Sequence, residues 1–417
     1  MTPAARLQHV IDILGIMAKS GQPVDRLLKD WFRTRRYAGS KDRAAIGERV
    51  FAIQRQRAAF AWRMQDDSPR ALAIASVLAN GEQPDAFFTG DGYGPAALSD
   101  TERAIIAATP AEAPLAVRGA FPAFLEPELR RAFGDNLLAE MEALNARAPV
   151  DLRVNTLRGR ERGEVLDALV AQGLAAQAMP YARNGIRIAS GEGTAQLRSG
   201  PMFESGAFEF QDEAAQIAAI LCGAEPNQRV LDLAAGAGGK SLALAAVMQN
   251  TGEIVACDIR QPALQELAVR AKRANATNIR TYLLGPPPEG LFDIVLIDAP
   301  CTGTGTWRRQ PELRWKLTPQ ILAQRIATQD KLLDDAAQLL KPRGRLVYAT
   351  CSILPSENQD RVAAFLTRHP QFITLSAAQT WREETATPPP PGMAQSFTAT
   401  PRQTGTDGFF TAILARE

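Results

Sequence analysis

The sequence predicts an α/β protein: a doubly wound, mostly parallel sheet in the C-terminal half, preceded by an all-α region and a small α+β domain. Three observations carry this. From about Phe208, short apolar β-rich runs alternate with amphipathic stretches, the pattern of right-handed βαβ units with helices on both faces of the sheet. Residues 1–145 instead space their apolar side chains as helices do. Between these regions, two alternating segments flank one amphipathic stretch. The expected domains are therefore 1–145, 146–207 and 208–417, and a chain of 417 residues is long enough for three.

Taken in order, "ARLQHVIDILGIMA" and "DRAAIGERVFAIQRQRAAFAW" read as helices, and "ANGEQPDAFFTGDGYGPAALSD" reads as a loop rich in Gly, Pro and Asp. "DLRVNT" and "NGIRIAS" read as strands around the helix "RGEVLDALVAQG", which Gly173 closes. The later strands are "QRVLDLAA", "GEIVACDI", "IRTYLL", "FDIVLID" and "GRLVYATC". Helices "GKSLALAAVMQ", "PALQELAVRAKRAN" and "PQILAQRIATQDKLLDDAAQLLK" lie between them. "REETATPPPPGMAQSFTATPRQTGTDG" reads as a Pro-rich loop, and "GFFTAILARE" as a last strand.

Composition narrows the function. Apolar content of 46% supplies an ordinary core, and no apolar run is long enough to span a membrane. The N-terminal stretch has no extended apolar h-region, so no signal peptide is expected. Four cysteines stand far apart without a C-x-x-C pair, which argues against a disulfide framework or a zinc site and for a reducing cytoplasm. Two histidines poorly supply a Cys-His protease or a metal centre, so no metal is expected. The net charge is only +2, but positive charge gathers between Lys19 and Arg63, with Arg33, Arg35 and Arg36 among Trp31, Phe32 and Tyr37. That stretch reads equally as a phosphate-binding footprint or as a solvated helical face with its aromatics in the core.

In "VLDLAAGAGGKS", Gly236, Gly238 and Gly239 follow a strand and open a helix, where backbone N–H groups can approach a ligand closely. Residues Ala234, Ala235, Gly236, Ala237, Gly238, Gly239 and Lys240 form this candidate cofactor loop. Asp258 ends the next strand, where an acid can hold two ribose hydroxyls. Ala234 stands where a nucleotide-triphosphate loop needs its first glycine. The pattern suits a dinucleotide or S-adenosylmethionine. The strand-end "DAPC" two strands later is no dehydrogenase feature and favours S-adenosylmethionine.

Cys301 and Cys351 each stand at the end of a different strand, in "IVLIDAPCTGTGTWRR" and "GRLVYATCS". A lone strand-end cysteine is usually a small core residue. Here "LRVNT", "FQDEAAQ", "VLDLAAGAGGK", "DAPCTGTGTWRRQPELRW", "VYATCSILPSEN" and "DGFFTAILAR" follow one another in the order of a known family. From about Phe121 the chain resembles the RsmB/NSUN-type RNA 5-methylcytosine methyltransferases. The resemblance implies a Rossmann-like class I methyltransferase domain after a small RRM-like domain. The Arg-rich helices are similar to the NusB-like RNA-binding domain of bacterial RsmB-type members.

The resemblance also implies roles. Cys351 would be the nucleophile that adds to C6 of cytosine, Cys301 would help remove the C5 proton and release product, and Asp298 would hold a protonated N3 and border the cofactor. A free thiol is only a few per cent ionised near neutrality, so some local lowering at Cys351 is expected. The target base would leave any stack to reach these groups. Family members commonly carry proline where this chain has Ala237, and "TYLLGPPPEG" lacks the acid that usually meets the adenine. Arg308 and Arg309, with Trp307, Arg314 and Trp315, form a basic-aromatic patch for which RNA contact is expected, although buried tryptophans with paired arginines give the same pattern. Cys222 and Cys257 read as core residues. The implied activity is methylation of a cytosine C5 in structured RNA, 16S ribosomal RNA before transfer RNA, by a cytoplasmic monomer. A non-catalytic RNA-binding assembly factor on the same fold is the alternative.

Overall fold

The computed structural model describes residues 1–189, 194–286 and 288–417. Ser190, at the end of one expected strand, and Pro287 lie outside the described residues. The chain divides into two compact units: Met1–Asn145 with Trp307–Leu317, and Ala146–Thr306 with Thr318–Glu417.

The first unit is helical, built on Pro3–Met17, Val24–Arg33, Ser40–Met64 and Pro69–Ala79. Its starts are set by local chemistry. Thr2 and Ser68 accept the N–H groups of Ala5 and Ala71, and Ser99 with Glu102 forms a reciprocal capping box for the helix Asp100–Ala107. Leu7, Val10 and Leu14 fall on one face of the first helix and pack with Val50, Ile53 and Ile74. Each such aliphatic side chain contributes about 1.5–3 kcal/mol relative to exposure. Trp31 and Phe32 join this core, whereas Tyr37 is exposed.

Placing Trp307–Leu317 with the helices differs from the expected boundaries, and hydrogen bonds explain it. The buried Arg314 guanidinium donates to Ala120 O at 2.9 Å, to Leu144 O at 3.4 Å and to Asn145 Oδ1. Trp315 Nε1 donates to Gln54 O at 2.7 Å, and Glu312 Oε1 accepts Val24 N–H at 3.2 Å. Burying so many polar groups requires partners, and the helical unit supplies them.

In the second unit, β1 (Val150–Val154), β2 (Ala176–Ala178), β3 (Gly185–Ile188) and β4 (Phe208–Phe210) form an antiparallel sheet of order β2-β3-β1-β4. The helix Arg162–Ala171 packs Val165 and Leu169 onto it. Phe208, the expected start of the larger domain, thus belongs to the small sheet. A three-residue strand is too short for its periodicity to show this.

The large sheet holds β5 (Arg229–Asp232), β6 (Glu253–Asp258), β7 (Ile279–Leu283), β8 (Phe292–Asp298), β9 (Leu340–Thr350), β10 (Phe372–Leu375), β11 (Phe397–Ala399) and β12 (Phe409–Arg416). Its order is β7-β6-β5-β8-β9-β12-β10, with β11 on β12. The five strands from β5 to β9 run parallel, and β12 lies antiparallel to β9, β10 and β11. Alternate residues face opposite cores: Val230, Ile254 and Ile294 one way, Leu231, Val255 and Val295 the other. Both faces are apolar, as a sheet covered by helices on each side requires. Strand order reverses at β5, so the loops after β5, β6, β8 and β9 border one crevice at the carboxyl ends, where ligands bind in such sheets.

Candidate active site

The cofactor loop is shaped by two backbone positions. Gly236 and Gly238 have φ of +55° and +79°, values that favour glycine. A Cβ at Gly238 would lie 2.4 Å from the Leu267 side chain, which is fully buried. The loop therefore passes close under the helix Gln261–Ala274 and leads into Gly239–Val247. Asp258, at the end of β6, accepts Gly236 N–H at 2.9 Å, together with Arg260 N–H at 2.8 Å and Arg260 Nε–H at 3.0 Å. Burial works to raise the Asp258 carboxyl, but the Arg260 and Gly236 hydrogen bonds prevail and hold it below the usual range. A glycine cradle next to an ionised strand-end acid fits a nucleoside cofactor. Ile259, next in the chain, and Leu283, the β7 partner of Asp258, expose apolar side chains.

Asp232 went unnoticed in the sequence. It ends β5, is fully buried and accepts Ser241 Oγ–H at 2.6 Å, while its Oδ1 has no hydrogen-bond partner among the described residues. Burial above all, aided by the charges of Asp298 and Asp258, pushes its carboxyl up to about 7.

Lys240 links this loop to β8. Its buried ammonium lies 2.6 Å from Asp298 Oδ2 and 5.0 Å from the centre of the Phe409 ring. Burial alone would lower the lysine; Asp298, Asp232 and the charge of a Cys351 thiolate outweigh it and hold the ammonium above its ordinary value. Asp298 keeps its carboxylate partly open, with 38% of the side chain exposed.

The two cysteines meet. Asp298 pairs with Ala349 across parallel β8 and β9, so Cys301 and Cys351 leave neighbouring strand ends on the same side of the sheet. Their sulfurs are 3.2 Å apart, both unbridged and both half-buried. The hydrogen bond to Cys351, burial, and the charges of Cys351 and Glu357 raise Cys301 well above the ordinary thiol value. Gly305 N–H donates to Cys351 O at 2.9 Å, and the Asn358 amide donates to Ser352 O at 2.9 Å and accepts Thr350 Oγ–H at 2.6 Å. These bonds fix the backbone on each side of the Cys351 sulfur. By contrast, Cys222 and Cys257 are fully buried in the core, and burial pushes both thiols up to about 12.

The basic groups divide. Arg33 and Arg36 are exposed, with Arg33 3.4 Å from Asp30, while Arg35 lies 3.3 Å above the Trp31 ring. Burial leaves little of the expected basic-aromatic patch open. Trp307 and Arg314 are inaccessible, Arg308 is 5% exposed and Arg309 is half-buried, so stacking a base on Trp307 is excluded. Among the described residues no group of three or more His, Cys, Asp or Glu side chains could hold a metal, and no helix is long and apolar enough to cross a membrane.

A sheet in this order, with a glycine cradle after its central strand, defines a Rossmann-like methyltransferase. Residues 219–415 match the family model described as 16S rRNA methyltransferase RsmB/F, and residues 121–193 match its ferredoxin-like domain. The chain belongs to the RsmB/F methyltransferase family. It is 34% identical over 312 residues to the "Probable ribosomal RNA small subunit methyltransferase B" of Synechocystis sp., covering 71% of this chain and 67% of that one. It is 36% identical over 313 residues to the "Ribosomal RNA small subunit methyltransferase B" of Pseudomonas syringae pv. tomato, covering 72% and 66%. Among solved structures it resembles PH0851, with a TM-score of 0.79, 23% identity and 99% of both chains covered. It also resembles NSun6 from Pyrococcus horikoshii, solved with SFG, with a TM-score of 0.63 and 20% identity over 72% of this chain and 99% of that one.

Proposed function

We propose that this protein methylates C5 of a cytosine in structured RNA, 16S ribosomal RNA, with Cys351 as nucleophile and Cys301 as the group that completes release. The observation that carries this reading is the pair of unbridged thiols 3.2 Å apart, beside the Asp298–Lys240 ion pair. A purely RNA-binding factor has no use for such a constellation. The names of the relatives support the ribosomal substrate, and the two thiols support the C5 chemistry.

C5 of cytosine is a weak nucleophile. Addition of the Cys351 thiolate to C6 converts the ring to an enamine with electron density at C5. Asp298 would hold the proton at N3 that balances this charge, and Lys240, 2.6 Å from Asp298, fixes that carboxylate. S-adenosylmethionine, when bound, supplies an electrophilic methyl group. Gly236, Gly238 and Gly239 would admit it closely, Asp258 would take its ribose hydroxyls, and Ile259 and Leu283 would cover its adenine. Cys301 first gives up its own thiol proton to water in the open crevice, and as thiolate it then takes the C5 proton. The C5–H electrons restore the C5–C6 double bond, and the Cys351 thiolate leaves. The work falls to one copy of the chain in the cytoplasm, with Arg33, Arg35 and Arg36 contacting RNA phosphates.

The test is methyl transfer from labelled S-adenosylmethionine to unmodified 16S rRNA and to transfer RNA, followed by nucleoside analysis. Label in 5-methylcytidine from 16S rRNA supports the reading. Label from transfer RNA alone moves the substrate, and label in any other nucleoside overturns the chemistry.

A further inference from the structure

Each cysteine is followed by a hydroxyl residue, Thr302 after Cys301 and Ser352 after Cys351, and both hydroxyls donate to one carboxylate. That carboxylate is Glu357, which is fully buried. Its Oε1 accepts Thr302 N–H at 2.9 Å and the Gln329 amide at 2.9 Å. Its Oε2 accepts Thr302 Oγ–H and, at 2.5 Å, Ser352 Oγ–H. Four neutral donors thus meet the four lone-pair sites of one carboxylate. Around it the loops are tied again: Thr304 Oγ and Ser352 Oγ are 3.0 Å apart, and Tyr348 Oη–H donates to Glu357 O at 2.6 Å.

We propose that Glu357 is a positioning residue for both thiols: its hydrogen bonds clamp the two cysteine loops together and set Cys301 beside Cys351, where it can take the C5 proton. This rests on the reading of Cys301 and Cys351 given above. The groups facing Cys301 are Cys351, Glu357, Tyr348 and the Gly303 N–H, with Arg361 and Asp330 acting on Tyr348 and Lys240 acting on Cys351. The N–H of Gly303 lowers the thiol, while burial and the charges of Cys351 and Glu357 raise it. A thiolate of higher pKa is the stronger base.

The experiment needs no RNA. In the full chain carrying Cys351→Ala, which removes the coupled thiol, the iodoacetamide reaction of Cys301 is followed against pH by peptide mass spectrometry. Glu357→Gln is expected to lower the midpoint by about one unit, and Glu357→Asp, which keeps the charge, to leave it near the parent. An unchanged midpoint in Glu357→Gln, or equal shifts in both variants, overturns the electrostatic role. Should Glu357→Gln not fold, Ser352→Ala withdraws one donor from the carboxylate and is expected to move the midpoint upward; no upward shift overturns the proposal as well. With both cysteines intact, Glu357→Gln is expected to slow release of the RNA adduct about tenfold, with RNA affinity unchanged. Loss of affinity with unchanged release would assign Glu357 a structural role only. A midpoint shift without any adduct would uphold Glu357's influence and sink the proposed chemistry instead.

Discussion

Lys240 Nζ and Asp298 Oδ2 lie 2.6 Å apart, joining the loop after β5 to the end of β8, and the two partners are buried to very different degrees. The lysine side chain is 7% exposed and the carboxylate side chain 38%. Removing the open partner strands a buried charge, whereas removing the buried partner leaves a carboxylate that water can reach. Asp298→Ala is therefore expected to cost about 2–4 kcal/mol of stability, and Lys240→Met less than about 1 kcal/mol. Urea unfolding of both variants checks the order. Equal losses would contradict the assigned asymmetry. Both variants are expected to lose methyl transfer by at least about a hundredfold.

The titration of Asp232 has a definite sign. Its carboxyl is raised from 3.8 to about 7 in the folded chain. Below about pH 4 it is protonated in both states. Between these values the folded state keeps a proton that the unfolded chain gives up, so stability falls as pH rises through the window and levels off above it. Asp232→Asn is expected to gain about 1–3 kcal/mol over wild type at pH 8 relative to pH 4. Thermal melts at both pH values decide it; a gain that is the same at both would show an ordinary carboxyl.

Gly238→Ala is expected to cost about 1–3 kcal/mol and to weaken binding of S-adenosylhomocysteine. The added Cβ meets Leu267 at 2.4 Å at a φ of +79°. Calorimetric titration with S-adenosylhomocysteine, beside a thermal melt, checks both parts.

Neutralising Arg33, Arg35 and Arg36 is expected to weaken RNA binding and to reduce its logarithmic salt slope by about 2, without altering cofactor affinity. Arg33 contributes least, because Asp30 already lies 3.4 Å from it. An unchanged slope removes the patch from the RNA site.

Much of the second unit was legible because its elements are long and punctuated. The five parallel strands are apolar on both faces and end on residues with chemistry, so periodicity and motif agree at Asp258, Asp298, Cys301 and Cys351. β10 and β11 escaped notice because three or four residues carry no readable period, and β11 lies in a segment whose prolines signal a loop. The burial of the Trp307–Trp315 patch was hidden for a different reason. Arginine beside tryptophan looks the same in sequence whether it faces RNA or, like Arg314, meets carbonyl groups from residues more than a hundred positions away. The meeting of Glu357 with Thr302 and Ser352 was equally hidden, since it depends on which strands are neighbours.

The pairing of the two thiols is the central claim, and a denaturing gel tests it most directly. Wild type, Cys301→Ala and Cys351→Ala are each incubated with 16S rRNA and S-adenosylmethionine. Accumulation of a covalent RNA adduct in Cys301→Ala alone is the predicted result. An adduct that persists in Cys351→Ala and disappears in Cys301→Ala would reverse the two roles and contradict the mechanism proposed here.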